Sequence, residues 1–460
     1  MSANEYRNLS LWHDTVAEPL EPRAGLTADE QVDVVIVGAG FTGLWTAYYL
    51  TELRPGIRIA VLEAEIAGFG ASGRNGGWCL GTMAGIGQLL HDPAQRDGAI
   101  RLQRALFETV DEVERVCAQE NIKCQWARAG NITVATSKTF HAHVQEELDD
   151  WRALGATEDE VRWMKPEECS SHIRTARNFG GVFLSYVAAL HPARLVRGLA
   201  RAVERRGVTI YERSPALSLE PRRVRTRNGA VTADVVVRAA EGYTHTISGQ
   251  KRKLIPVHSM MIATEPLRQS IWDEIGFVDR VTFSDPRRMV TYGQRTEDDR
   301  LAFGCRGAYF FGSRVRDRFS PGDAAFAQVR DVLESFFPVL RDQLVTHRWG
   351  GAIGVPRNWR PAVGIDRQDG MAWGGGYVGE GVGPSNLVGR TLADLILERP
   401  TDLVELPIVE RDFRNWEPEP LRWIGARALT KIAESLDATE LRDRPTPRIR
   451  NSIFEALVRK

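Results

Sequence analysis

The sequence carries no net charge: 60 Lys plus Arg balance 60 Asp plus Glu over 460 residues. Without a basic excess, a broad nucleic-acid surface and a polybasic membrane patch are both excluded, and a small organic substrate is the expected partner. Cysteine is scarce. The five present (Cys79, Cys117, Cys124, Cys169 and Cys305) are odd in number and include no CxxC pair. That rules out a disulfide framework and a zinc site, so no metal centre is expected and a reducing cytoplasm is the expected compartment. Long hydrophobic runs are missing too. The longest uncharged stretch, Val34 to Thr51, is broken by Gly38, Gly40 and Gly43, and a strand, turn and helix explain it better than a membrane span. The opening MSANEYRNLSLWHD lacks the basic start and apolar core of a secretory signal. Repeats, charge blocks and low-complexity linkers do not occur.

What is present begins at Val32–Val37, a short, nearly all-apolar run of the kind that forms a strand buried on both faces. GAGFTG follows, then a helix-forming segment, Leu44–Leu53, stopped by Arg54-Pro55-Gly56. A second apolar run, Ile57–Leu62, ends at Glu63. This is the opening of a dinucleotide-binding unit. Gly38 permits the tight turn, Gly40 lets backbone approach a pyrophosphate, and Gly43 lets helix and strand pack closely. Phe41 and Thr42 stand in the turn that leads into the helix, whose free N-terminal N–H groups favour phosphate. Glu63, beside Ala64, suits adenosine ribose hydroxyls.

A second glycine cluster, Gly68–Cys79 (GFGASGRNGGWC), selects FAD over NAD. Ser72, Gly73, Arg74 and Asn75 offer donors to the far side of the pyrophosphate and the ribityl chain, with Gly76 and Gly77 closing the turn. A third match to GxGxxG starts at Gly374, but only the one at Gly38 follows a buried strand and has an acid at the right distance.

Between these blocks the pattern predicts a helix over 97–120, a strand over Ile132–Ala135 and a strand–helix–strand unit from Gly181 to Glu212. A hairpin turned by Asn228-Gly229 in type I′ geometry is expected to return as one strand, Val231–Val237. A β-rich stretch from Lys253 to Phe311 and a helix from Phe326 to Phe337 follow. Pro384 is expected to take the first position of a helix after Gly383, with Leu387, Val388, Thr391, Leu392, Leu395 and Ile396 on its buried side.

GAGFTG, Glu63 and GFGASGRNGG together resemble the D-amino-acid oxidase superfamily of FAD enzymes, and within it the gamma-glutamylputrescine oxidoreductase branch. LHPARLVRGLA (Leu190–Ala200), VVVRAAEGYT (Val235–Thr244) and GGYVGEGVGPSNLVGRTLADLI (Gly375–Ile396) extend the likeness over most of the chain. The resemblance implies an α/β fold in which a discontinuous Rossmann-type FAD-binding domain (30–95, 183–250 and 345–410) holds an inserted, mainly antiparallel β substrate domain (96–182 and 251–344). A helical tail, 411–460, ends the chain. It adds Ala216, Gly242, Gly379, Gly381 and Val382 to the FAD contacts.

The implied chemistry is FAD-dependent oxidation of a small amine to an imine, with oxygen or another electron acceptor completing the cycle. A hydroxy-acid or amino-acid dehydrogenase, or a flavin-binding subunit of a larger complex, stands as the alternative. Trp78, His258, Met261, Tyr292, Arg306, Tyr309 and Glu380 are the candidate pocket residues, with Trp78, His258, Tyr292, Arg306 and Glu380 the candidates for catalysis. For His258 a structural role competes, for Arg306 a surface ion pair, and for the two tyrosines core packing. Three departures stand out. Ala302 occupies the place of a lysine that promotes reaction with oxygen. Ala352 occupies the place of a covalent flavin cysteine, so FAD is expected to be noncovalent. Gly383 occupies the place of a lysine that binds a substrate carboxylate.

Overall fold

The apolar run at Val32–Val37 becomes the strand Val34–Val37, buried along its whole length. It lies between two parallel neighbours, Val235–Arg238 and Ile59–Leu62. In this computed structural model, which describes residues 1–409 and 412–459, these strands are the middle of a six-stranded nucleotide sheet. Its order is Ala362–Asp366, Met371–Gly375, Val235–Arg238, Val34–Val37, Ile59–Leu62 and Thr209–Tyr211. Only the first strand is antiparallel to its neighbour. Expected boundaries at Glu410 and Arg411, and the last residue Lys460, lie outside the described residues.

Helix Phe41–Leu53 is buried from Phe41 through Thr51 on every side, because it is sandwiched. It lies on the sheet and is covered by helices Pro192–Arg205 and Val382–Ile396. A helix that is apolar all round needs such a site. The packing is close enough to demand glycine. A Cβ on Gly43 would lie 2.1 Å from the Gly38 carbonyl oxygen, and one on Gly389 would lie 2.5 Å from Trp45 Cβ. The sheet's other face packs through Val35, Val37, Ala60 and Leu62 against Val224 and Val231 of a small four-stranded sheet.

The second large sheet has eight strands, ordered Val345–Val355, Ile255–Thr264, Leu301–Tyr309, Thr291–Arg295, Thr282–Ser284, Asn131–Val134, Gly181–Leu184 and Val161–Met164. One pair is parallel and the others antiparallel. Helices Gln269–Ile275 and Ala324–Phe336 pack into its core. The fold is thus α/β, with a nucleotide sheet gathered from distant chain segments, a mainly antiparallel second sheet and two C-terminal helices, Leu421–Glu440 and Arg448–Arg459.

Several local expectations are corrected. Neither Asn228 nor Gly229 has a positive φ, so the turn is not type I′. Arg225 pairs with Ala230, which leaves a four-residue loop closed by Thr226 donating to the Gly229 carbonyl. The returning strand is two strands, Ala230–Thr232 in the small sheet and Val235–Arg238 in the nucleotide sheet. Between them the Ala233 N–H turns back to Arg222 and the Asp234 N–H to Asp33. Gly181–Leu184 and Thr209–Tyr211 belong to different sheets, so the Gly181–Glu212 stretch is a crossover rather than one unit. Val345–Val355 is the edge of the large sheet, although it was expected with the nucleotide domain. The last Rossmann-like helix begins at Val382 with Gly381 as its cap, which puts Pro384 third in the first turn, still where a missing N–H costs nothing.

Gly43→Ala is expected to lower stability by about 1–3 kcal/mol, because the added methyl overpacks helix against turn. The midpoint of chemical denaturation measures it, and an unchanged midpoint would contradict the close contact.

Candidate active site

Two adjoining cavities open where the nucleotide sheet ends. The first, of about 390 Å³, starts at the C-terminal ends of Val34–Val37 and Ile59–Leu62. Here the Glu63 carboxylate accepts the N–H of Ala39 at 2.9 Å and that of Glu65 at 3.0 Å. Burial pushes its carboxyl up to about 7. Gly38, Gly40, Phe41, Thr42, Ala64 and Ala216 line the same end. Ser72 Oγ receives the Phe41 N–H at 2.9 Å, and a Cβ on Gly40 would sit 2.9 Å from that hydroxyl, filling the cleft. Gly43 does not line the cavity; it serves packing.

The second glycine cluster divides its labour. Ser72 and Asn75 line the first cavity. Asn75 also braces its own loop, donating to the Ala71 and Ser72 carbonyls and accepting the Gly77 N–H. Gly73 faces inward, since a Cβ there would meet the Gly68 carbonyl oxygen at 2.1 Å, and Gly77 is pressed against Gln294. Gly76 and Arg74 line the second cavity instead. The Arg74 guanidinium is engaged with the Phe69 carbonyl at 2.7 Å and with Asp317 at 3.3 Å. The N-terminal segment, which the sequence pattern left unread, holds this loop from behind: Trp12 Nε1 donates to the Asn75 carbonyl and Tyr6 to Glu65, both at 2.8 Å.

The turn Gly374–Gly381 forms the wall between the cavities. Gly379, Gly381 and Val382 face both, as do Ala71, Asn75 and Ile353. Val378 within the turn has φ +57°, a strained setting for a β-branched residue. One of the groups that hold this turn is a carboxylate lining the first cavity that sequence reasoning missed. Glu241 accepts the N–H groups of Gly376 at 2.9 Å and Tyr377 at 3.2 Å, and burial pushes its carboxyl up to about 7. Tyr377 in turn shares a hydrogen bond with Thr42 at 2.8 Å. Gly242 and Ala352 also line the first cavity, and a Cβ on Gly242 would meet the Ala352 carbonyl oxygen at 2.6 Å.

The second cavity, of about 280 Å³, gathers Trp78, Tyr292, Arg306 and Glu380 from four separate segments. Trp78 and Tyr292 meet edge to face, with centroids 6.1 Å apart, and the Tyr292 hydroxyl is 2.5 Å from Ser259 Oγ. Arg306 Nη2 donates to the strained Val378 carbonyl at 3.1 Å. Burial pushes the Glu380 carboxyl up while the Arg306 charge opposes that shift. The sequence reading missed Glu147 and Trp151, one turn apart on helix Lys138–Ala153, and the ion pair Asp285–Arg287 at 2.8 Å.

His258 is not in this group. Strand alternation turns Ser259 to the second cavity and His258 away from it; His258 lines neither cavity. Its Nε2 accepts the Arg316 N–H at 3.0 Å between Phe310 and Phe319, and burial lowers its pKa to about 4, so it is a neutral packing group. Tyr309 is engaged by Glu419 at 2.6 Å, and Met261 is buried beside Ala302; neither lines a cavity. Gly383 has no room for any side chain, since a Cβ would lie 2.4 Å from the Leu80 carbonyl oxygen. All five cysteines are buried and none lines either cavity.

Residues 33–395 match the family described as FAD dependent oxidoreductase. The chain belongs to this family. Among its relatives, the probable oxidoreductase OrdL of Haemophilus influenzae is 30% identical over 382 residues, 81% of this chain and 84% of that protein. The gamma-glutamylputrescine oxidoreductase of Escherichia coli is 28% identical over 397 residues, 84% of this chain and 88% of that protein. Glycine oxidase from Geobacillus kaustophilus shares the fold, with a TM-score of 0.67 at 19% identity over 83% of this chain and 99% of the other. This family member is therefore an FAD-dependent oxidoreductase, and the first cavity fits that cofactor. It has a carboxylate at one end, a glycine-lined helix N-terminus in the middle and a second helix N-terminus at the other end.

Glu63→Ala is expected to weaken FAD binding by about 1–3 kcal/mol, the range for a lost hydrogen bond to a charged group. Gly40→Val should weaken it further by filling the cleft. Flavin fluorescence titration measures both, and full flavin retention at low protein concentration would refute the assignment.

Proposed function

We propose that this FAD-dependent oxidoreductase oxidises a small amine bound in the second cavity, with noncovalent FAD in the first. The observation that carries this reading is the pair Glu147 and Glu380. Both line the second cavity, and among the described residues neither has a cation within 4.0 Å. Glu147 has only the Trp151 indole N–H, at 3.4 Å. Of the cavity's arginines, Arg287 is paired with Asp285 and Arg74 bonds Phe69 and Asp317 while its Nη2 has no partner, and Arg306 spends one donor on the Val378 carbonyl. A cavity with free carboxylates and aromatic walls suits an ammonium group. The E. coli relative's name, gamma-glutamylputrescine oxidoreductase, supports amine oxidation at modest identity.

Bound FAD supplies a two-electron acceptor for the carbon that bears the nitrogen, leaving an imine for water to hydrolyse. The chain's own task is placement. Gly38, Gly40, Ser72 and Glu63 would hold the dinucleotide half, and Gly379, Gly381 and Val382 the other end, where the helix N-terminus favours negative charge. Trp78, Trp151 and Tyr292 exclude water and orient the amine. Burial raises the Tyr292 phenol's pKa, so it stays a neutral wall. Glu380 and Glu147 hold a second, distant ammonium.

One observation favours a second reading. Arg306 lines the cavity, so its remaining donors are placed to meet a substrate carboxylate, which would admit an α-amino acid. The opposing facts are the absence of space at Gly383 and the charge of Glu380. An unpaired buried carboxylate costs several kcal/mol.

Anaerobic flavin reduction separates the two. Putrescine-like amines are expected to reduce the flavin efficiently, whereas glycine, sarcosine or a D-amino acid doing so would end the amine reading. Glu380→Gln is expected to raise the apparent dissociation constant more than it slows the limiting reduction rate, since its role is binding.

The pH dependence carries a sign. Burial pushes the Glu147 carboxyl up to about 7, and the nearby charge of Glu380 adds to it. Below that pH Glu147 is neutral and attracts no ammonium; above it the carboxylate is charged. Affinity for a diamine is therefore expected to tighten as pH rises through about 7, and Glu147→Gln should flatten that dependence. A dependence unchanged in Glu147→Gln would remove Glu147 from binding.

A further inference from the structure

The two C-terminal helices lie beyond the family match, which ends at residue 395, yet their polar groups converge on Arg288 and Met289, in a loop that lines the second cavity. Glu440 is 0% and Asp437 5% exposed, both on the inner face of helix Leu421–Glu440. Asp437 accepts two consecutive backbone N–H groups, those of Arg288 and Met289, each at 3.0 Å. Glu440 accepts Arg288 Nη1 at 2.6 Å and the Thr446 hydroxyl at 2.7 Å. Asn451 of the last helix takes Arg288 Nη2 at 3.0 Å. Arg288 is therefore held by three side chains of the tail, and it sits in the Asp285–Val290 loop, of which Asp285, Pro286, Arg287 and Val290 line the second cavity.

The same tail grips the opposite wall. Asp443 accepts the N–H of Lys138 at 2.7 Å, at the first turn of helix Lys138–Ala153, and the Arg177 guanidinium at 2.6 Å. Thr139 donates to the Arg444 carbonyl at 3.2 Å. That helix carries Glu147 and Trp151 into the cavity. Asp443 is exposed, whereas the buried carboxylates Asp437 and Glu440, each satisfying several donors, hold their partners in one geometry.

We propose that the C-terminal helix pair is a built part of the substrate cavity: Asp437 and Glu440 act as positioning residues that set the Asp285–Val290 wall through Arg288 and so determine substrate affinity. This rests on the second cavity being the substrate site, but not on the substrate being an amine.

The test uses the full-length, FAD-loaded protein with Asp437→Ala and Glu440→Gln. Amide hydrogen exchange reports the wall directly. Flavin reduction by a panel of diamines, α-amino acids and hydroxy acids supplies the probe, namely whichever compound reduces the wild-type flavin. Expected in Asp437→Ala are faster exchange at Arg288 and Met289, an apparent dissociation constant raised about tenfold, a limiting reduction rate within about twofold of wild type, and unchanged FAD content. Asp437→Glu, which retains the carboxylate, should recover part of the affinity. Unchanged exchange, or a dissociation constant that stays at the wild-type value while only the melting temperature falls, would overturn the proposal. Reduction by an α-amino acid but not by diamines would end the amine reading while still providing the probe, so the two failures are distinguishable.

Discussion

The carboxylate of Glu241 anchors the turn that separates the two cavities. It sits just past the strand Val235–Arg238 and accepts the N–H groups of Gly376 and Tyr377. Those two bonds tie a middle strand of the nucleotide sheet to a turn more than a hundred residues away in sequence. The turn holds a left-handed Val378 and leads into the helix starting at Val382. Together with the Arg306 bond to the Val378 carbonyl and the Tyr377–Thr42 bond, that anchor holds the strained backbone in place. Gly354 and Gly375 are glycines for the same cause, since a Cβ at either would lie within 3 Å of the Glu241 carboxylate.

From that wall the charges divide by cavity. The first keeps Glu63 engaged by backbone amides. The second is lined by three arginines and three carboxylates; Asp285 is paired with Arg287, while among the described residues Glu147 and Glu380 have no cation within 4.0 Å and only the charge of Arg306 reaches Glu380. On the proposed reading the two carboxylates lacking an ion pair set what the cavity binds, although the chain as a whole is neutral. Whole-chain charge reports on surfaces and solubility, whereas a site is set by which few groups lack partners.

How much of this was legible follows from the range of the interactions. GAGFTG and Glu63 are read easily because strand, turn, helix and acid are contiguous, and each residue's task is local. Trp78, Tyr292, Arg306 and Glu380 come from four segments, and only the family likeness suggested that they belong together; the structure brings them to one cavity. His258 shows the limit of that route. A resemblance locates a strand, but a shift of one residue decides which face a side chain takes, and Ser259 faces the cavity in its place. Asn228-Gly229 shows another limit, because a dipeptide that favours one turn does not impose it when the flanking strands pair two residues further out. Glu241 gave no signal at all: a Glu after AA in a Gly-rich stretch looks like any surface acid. Nor did the tail, whose contacts with residues 138 and 288 link positions well over a hundred residues apart.

The contact between Gly383 and Leu80 bears on how substrate preference in this chain can evolve. The family resemblance would put a carboxylate-binding lysine at position 383, yet Gly383 lines neither cavity and the Leu80 carbonyl oxygen stands 2.4 Å from where a Cβ would begin. The strand Trp78–Leu80 is itself pinned by pairing with Val187–Ala189 and carries a cavity aromatic, Trp78. Retreat of that strand would therefore disturb the existing pocket before the new side chain fitted. The two changes are coupled: a side chain at position 383 requires the Leu80 backbone to move, and that movement acts on the strand that carries Trp78. Arg306 and the Asp285–Arg287 loop differ in this respect, because their side chains already reach the second cavity and can be exchanged without moving that strand.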